Sequence, residues 1–200
     1  MWSFNRVVDS PKIRVLSKQW QGPFSCPGYE EKNGLDKVPD IEGLYLFTFE
    51  YEAGYLVYFA GITNSTSKRL KTHVRKYKKG DYTVLDVDSA GKGIRKEIWH
   101  GWQYAKTHQE EFNERKIEIL NAVDKQLTSF RIFVAQVFDK RIRERLEASI
   151  MHNIYSCKEP WADLSDRGML LLGRYNSEMP IEINNMSYCK IYGLPCTLEI

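Results

Sequence analysis

Hydrophobic and polar positions divide this chain into stretches of distinct period. From Ile41 onward, Leu44, Leu46, Phe47 and Phe49 lead into Glu52-Ala53-Gly54, after which Tyr55-Leu56-Val57-Tyr58-Phe59-Ala60 runs back. Two β-branched and aromatic runs around a short glycine-containing loop predict an antiparallel hairpin. Leu70, Val74 and Tyr77 then recur at i, i+4 and i+7, which predicts a helix over residues 68 to 79, closed by Gly80. Asn64, Ser65, Thr66 and Ser67 all offer N-caps for it. Residues 129 to 138 are apolar at both parities, as expected of a strand covered on both faces, and form the candidate central strand. Residues 140 to 155 place Ile142, Leu146, Ile150 and Ile154 at helical spacing.

The remaining segments are less periodic. Residues 1 to 40 carry Pro11, Pro23, Pro27, Pro39, Gly22, Gly28 and Gly34, which argues for an N-terminal arm without long regular elements. In an insertion spanning residues 81 to 128, residues 94 to 107 and 111 to 122 read as helices, with Trp99 and Trp102 suited to core packing. Gly91-Lys92-Gly93 lacks the spacing of a phosphate loop. Residues 161 to 200 form a C-terminal extension with turn signals around short apolar runs such as Met169-Leu170-Leu171-Leu172, expected to pack on the core. The order of elements predicts an α+β fold.

With 200 residues, 42% of them hydrophobic and 28% charged, the chain can bury one good core. No segment approaches the roughly 18 uncharged apolar residues of a membrane span. The N-terminus lacks a secretory apolar stretch, so a cytoplasmic protein is expected. Cys26, Cys157, Cys189 and Cys196 are scattered without paired spacing, which disfavours a zinc cage and suits reduced thiols.

A net charge of +3 says little about partners, but the local distribution says more. Between Ser67 and Gly80 stand Lys68, Arg69, Lys71, Arg75, Lys76, Lys78 and Lys79 with no acid, a one-signed run that favours a polyanion. Arg69, His73 and Lys76 form a stripe about 100° round from the apolar one and are expected to face outward. On the last long helix, Glu147 lies at the margin of the apolar face, where a carboxylate is costly to bury unless paired or metal-bound. The plainer alternative is a partly exposed glutamate bonded to Arg143 at i−4.

Gly43-Leu44-Tyr45 and Phe59-Ala60-Gly61, followed in order by Arg69, His73 and Glu147, resemble the motifs of the GIY-YIG nuclease superfamily, closest in detail to its restriction-endonuclease members. The resemblance covers residues 41 to 160 and implies a three-stranded antiparallel sheet flanked by helices. It implies a divalent-metal-dependent endonuclease that hydrolyses double-stranded DNA. Tyr45 would act on the attacking water, its pKa lowered by nearby cations, and His73 would relay the proton. Arg69 would grip the phosphate, and Glu147 would hold Mg²⁺ or Mn²⁺. Lys68, Lys71, Arg75, Lys76, Lys78 and Lys79 would contact the nucleic acid, and a homodimer is expected if both strands of a symmetric site are cut. Two positions depart from the pattern. Phe59 occupies the place of the second motif's tyrosine and lacks its hydroxyl, and neighbouring Tyr58 faces the other way unless the strand is bulged. The family's late asparagine has no clear counterpart, and Asn176 would serve only if the chain loops back. The alternative implied by Phe59 is a nucleic-acid-binding module of the same fold with catalysis lost or weakened.

Overall fold

The computed structural model describes residues 14–167 and 170–200. Residues 1–13 of the expected N-terminal arm, and Met169 in the apolar run of the tail, lie outside the described residues. The first half of the chain contains β1 (Arg14–Gln19), β2 (Gln21–Phe24), α1 (Glu30–Asn33), β3 (Gly43–Tyr51), β4 (Gly54–Thr63) and α2 (Thr66–Lys78). Then follow β5 (Val84–Leu85), α3 (Val87–Ala90), β6 (Glu97–Trp99), α4 (Trp102–Thr107), α5 (Gln109–Glu114) and α6 (Lys116–Ser129). β7 (Arg131–Gln136), α7 (Lys140–Ser156), a 3₁₀ turn at Pro160–Leu164, β8 (Ile181–Met186), β9 (Ile191–Tyr192) and β10 (Thr197–Glu199) complete the chain. The fold class is α+β, as the order of elements predicts.

The expected hairpin is β3 with β4, and β7 pairs antiparallel on the other side of β3. The sheet nevertheless has five strands, in the order β2-β7-β3-β4-β9, where the sequence led us to expect three. Both additions come from segments whose turn residues obscured them: β2 from the N-terminal arm and β9 from the C-terminal extension. The run at 129 to 138 is therefore an interior strand, but β3 is the central one. β7 is covered on both faces as expected, with Ile132 and Val134 in one core and Phe133 and Ala135 in the other.

Alternation along the strands sends side chains to two separate cores. On one face Tyr45, Phe47 and Phe49 pack with Leu70 and Tyr77 of α2 and with Ile119, Val123 and Leu127 of α6. On the other, Leu44, Leu46, Val57 and Ala60 pack against Leu146, Ile150, Met151 and Ile154 of α7. α2 starts one turn earlier than its apolar stripe suggests. Ser65 is the cap that is used, its hydroxyl accepting from the Lys68 N–H at 3.3 Å. Gly80, at φ 76°, ends the helix in the left-handed conformation glycine allows. α7 is capped by Asp139, which accepts from the Ile142 N–H at 2.9 Å.

The insertion is not wholly helical. The helix expected over 94 to 107 is replaced by strand β6, antiparallel to β5, then Gly101, then α4. The second expected helix is broken near Arg115 into α5 and α6. A third sheet, in the order β1-β8-β10, joins the arm to the extension. No helix among the described residues is long and apolar enough to cross a membrane.

One local irregularity matters for the site. Phe47 pairs with Phe59 but Thr48 pairs with Val57, which leaves Tyr58 as the extra residue of a β-bulge. Tyr58 and Phe59 consequently lie on the same side of the sheet, Tyr58 against Phe49 and Phe130 and Phe59 against Tyr45 and Phe47.

Gly61 pairs directly with Tyr45, and a methyl group there would overlap the tyrosine Cζ and Oη. Gly61→Ala is therefore expected to destabilise the fold by about 1–3 kcal/mol in chemical denaturation. Gly91 sits at a helical φ of −64° with its nearest neighbour 3.6 Å from a new Cβ, so Gly91→Ala should instead gain about 0.4–1 kcal/mol. Equal effects of the two substitutions would contradict this packing.

Candidate functional site

The site is built where β4 loses its outer neighbour. β9 pairs with β4 at Tyr55 and Leu56 alone, so the edge from Tyr58 to Thr63 has no strand partner among the described residues. Other groups cover that edge, as exposed strand edges require. The Tyr58 carbonyl accepts from the Asp166 N–H at 2.9 Å, the Ala60 N–H meets Met151 Sδ at 3.3 Å, and the Glu147 carboxylate stands near the Ile62 N–H. Met151 and Glu147 stand one turn apart on α7, so the helix that covers one core of the sheet also brings a carboxylate to its edge.

A cavity of about 250 Å³ opens beside this edge, and Phe59, Arg69, His73 and Glu147 line it. Tyr45 is completely buried behind them. Its hydroxyl accepts from Arg69 Nε at 3.0 Å and lies 2.8 Å from His73 Nε2. Because the guanidinium only donates, the tyrosine proton is left to point at His73, whose Nε2 is the acceptor of a neutral ring. All five residues that carry the motif resemblance thus meet in one place. The Nη groups of Arg69 make no hydrogen bond among the described residues, and the side chain is exposed.

Three sequence-based expectations need correction. His73 does not face outward with Arg69 and Lys76; it is buried among Tyr45, Phe47, Phe59 and Tyr82. Residues of the insertion cover a wider arc of α2 than the apolar stripe indicates. Loss of water, with Arg69 and Lys76 adding to it, holds the His73 imidazole down to about 3, so the ring is neutral at physiological pH. The Tyr45 hydroxyl is pushed up, not down, because burial outweighs the attraction of Arg69. Glu147 is not paired with Arg143. That arginine instead ties α7 to both ends of the hairpin, donating to Glu42, to the Val137 carbonyl at 3.1 Å and to Asn64 Oδ1 at 2.9 Å.

The basic residues of α2 are all exposed but do not form one patch at the cavity. Lys76 stands beside it, with Nζ 5.4 Å from the Tyr82 ring centroid. Lys68, Lys71 and Arg75 surround a separate depression next to Pro27. Lys78 reaches over Tyr29, and Lys79 is the last residue before the closing glycine.

Sequence reasoning missed Asp166, Tyr82 and Trp102, which also line the cavity. Asp166 is buried and pushed up to about 6, chiefly by loss of water, against the downward pull of Arg95 and Trp102. Arg95 Nη2 lies 3.9 Å from its carboxylate. No local pattern marks these residues, since Tyr82 sits in a bend of the insertion, Trp102 opens the short helix α4, and Asp166 lies beyond the last expected helix. Tyr58 does not restore the missing hydroxyl beside Tyr45. Its ring packs on Phe49 and Phe130, and its hydroxyl interacts with Tyr77 near Asp166. Asn176 lies in an exposed turn and does not line the cavity.

The surroundings of Glu147 suit a hard divalent cation. Its carboxyl is pushed up to about 7, first by loss of water, with Arg69 pulling the other way, and it bonds no cationic side chain among the described residues. A counter-ion would offset that cost. Among the described residues there is no cluster of three or more His, Cys, Asp or Glu ligands, so such an ion would draw most of its ligands from water and substrate oxygens, as Mg²⁺ does.

The sign of this shift can be measured. Glutamate titrates near 4.5 in the unfolded chain and near 7 here, so the folded state holds the proton more tightly between those values. Glu147 therefore lowers stability above pH 7, and the penalty fades as pH falls to about 4.5. In EDTA, Glu147→Gln is expected to be more stable than wild type at pH 8 by an amount of the order of 2 kcal/mol, and equal to it at pH 4. A pH-independent difference would show that the carboxylate is not desolvated.

No family model matches the chain, and neither does any curated protein or solved structure.

Proposed function

We propose that this protein is a divalent-metal-dependent DNA endonuclease with a GIY-YIG-like core, in which β7, β3 and β4 are the three antiparallel strands. The observation that carries the reading is the Tyr45 hydroxyl held between Arg69 and His73 at a cavity that Glu147 also lines. These are the residue types that phosphodiester hydrolysis needs at one point: a charged donor for the phosphate, a proton path and a carboxylate for a cation.

Arg69 keeps Tyr45 through Nε and presents both Nη groups to a phosphate, a charge-assisted and potentially bidentate contact. Tyr45, with its proton directed at His73, positions Arg69 and offers its oxygen to the attacking water; it is not a preformed phenolate, and His73, held neutral, orients the tyrosine proton. Glu147 holds the cation, Mg²⁺ or Mn²⁺, which supplies a more acidic bound water and neutralises charge on the phosphate. Exposed lysines and arginines of α2 hold the flanking DNA backbone.

A second reading rests on Phe59: a DNA-binding module of this fold with catalysis lost or weakened. Phe59 removes one hydroxyl from the cavity, and Tyr58 does not return it to Tyr45.

Incubation with supercoiled plasmid and Mg²⁺ separates the two. The wild type is expected to nick or linearise plasmids, and Glu147→Gln, Arg69→Ala and Tyr45→Phe each to reduce the rate about 10²-fold or more. Intact plasmid with retained DNA binding, on many sequences, would leave only the binding module. In binding titrations, each charge removed from Lys68, Lys71 and Arg75 should lower the slope of log K against log salt by about 1. An unchanged slope in the triple alanine variant would remove this side of α2 from the interface.

A further inference from the structure

The cavity is more than a phosphate site. Beside Arg69 and Glu147, its walls are the rings of Phe59, Tyr82 and Trp102 and the carboxylate of Asp166. Tyr82 and Trp102 lie with ring centroids 5.1 Å apart, tilted by 46°, and Trp102 is 41% exposed. Trp102 is also one of two non-glycine residues with a left-handed backbone among the described residues, at φ 58°. A large apolar ring left in water on a strained backbone beside a charged cavity calls for a ligand face.

Size and charge narrow that ligand. At about 250 Å³ the cavity is slightly smaller than typical small-molecule pockets, which begin near 300 Å³, and it admits no duplex. A second phosphate next to the one on Arg69 would meet the carboxylate of Asp166, a like charge. A nucleobase would not: its faces stack on aromatic rings, and its amino groups donate to a carboxylate.

Resting on the nuclease reading above, we propose that the cavity takes one unpaired base adjacent to the scissile phosphate, stacked against Trp102 and Tyr82, so that the preferred substrate is DNA with an unstacked nucleotide at the cut. The base leaves the helix stack before it enters, and DNA already unpaired there saves the unstacking step.

The test compares a fully paired fluorescein-labelled duplex with the same duplex carrying a single-nucleotide bulge, titrated by anisotropy with the full-length protein in EDTA. The wild type is expected to bind the bulged duplex about tenfold more tightly, the scale of one base–aromatic stack. Trp102→Gly, which suits the left-handed backbone, is expected to bring the bulged duplex to the affinity of the paired one, and Tyr82→Phe to keep the preference. Thermal melts of each variant confirm that it is folded. Equal wild-type affinities, failure to bind either duplex, or a preference that survives combined Trp102→Gly and Tyr82→Ala would overturn the proposal. Plasmid cleavage in Mg²⁺ reports separately on the nuclease reading. Cutting without a bulge preference removes this inference alone, and a bulge preference without cutting leaves the base site in a binding protein.

Discussion

The arrangement of the site depends on the room that Gly61 leaves for the ring of Tyr45. The two residues are direct partners in the β3–β4 ladder, and the ring lies where any Cβ on residue 61 would be. That contact fixes the ring against the central hairpin and so fixes where the hydroxyl emerges. Arg69 and His73, one turn apart on α2, are both referred to that hydroxyl. α2 is in turn seated by Ser65, whose hydroxyl donates to Asp40 at 2.7 Å while it caps the helix. Geometry at the cavity is thus inherited from strand pairing rather than from a loop.

A single physical cause, loss of water, shifts the tyrosine, the histidine and the two carboxyls at the cavity toward their uncharged forms. It raises Tyr45, Glu147 and Asp166 and lowers His73. Arg69 stays charged and is the local cation against which these shifts are set. The cavity therefore holds neutral or reluctantly charged groups around one arginine, an environment in which an added phosphate or cation interacts strongly because little water screens it.

Much of this was legible in the sequence, for identifiable reasons. The hairpin and the two long helices follow from local period, whereas Tyr45, Arg69, His73 and Glu147 are singled out by the motif resemblance, from their joint order along those segments. What escaped has long-range causes. β6 reads as helix because Glu97-Ile98-Trp99 becomes a strand only by pairing with Val84 and Leu85. His73 reads as exposed because the rings that cover it lie outside its own helix, Tyr45, Phe47 and Phe59 on the hairpin and Tyr82 beyond the helix end. The bulge at Tyr58 contains no glycine to announce it, and Asp166 is held at the site by its own backbone N–H and by the neighbouring Ser165 hydroxyl, both bonded to a strand about a hundred residues earlier. Period reports what a segment packs against, not what later arrives to cover it.

The small sheet has a bearing on how the chain acquires its fold during synthesis. β1 has a single strand partner among the described residues, β8, with Arg14 matched to Ile181 and Gln19 to Met186. Nearly the whole intervening chain must be made before that ladder can close, and pairing over such separations is entropically late and slow. Arg145 on α7 also donates to the backbone carbonyls of Met179 and Ile200, so the helix that carries Glu147 is supported by segments made after it. A nascent chain that has reached only α7 would accordingly hold the hairpin and α2 while its carboxylate stands on an unbuttressed helix, and the centre would be completed only once the strands that follow have been made.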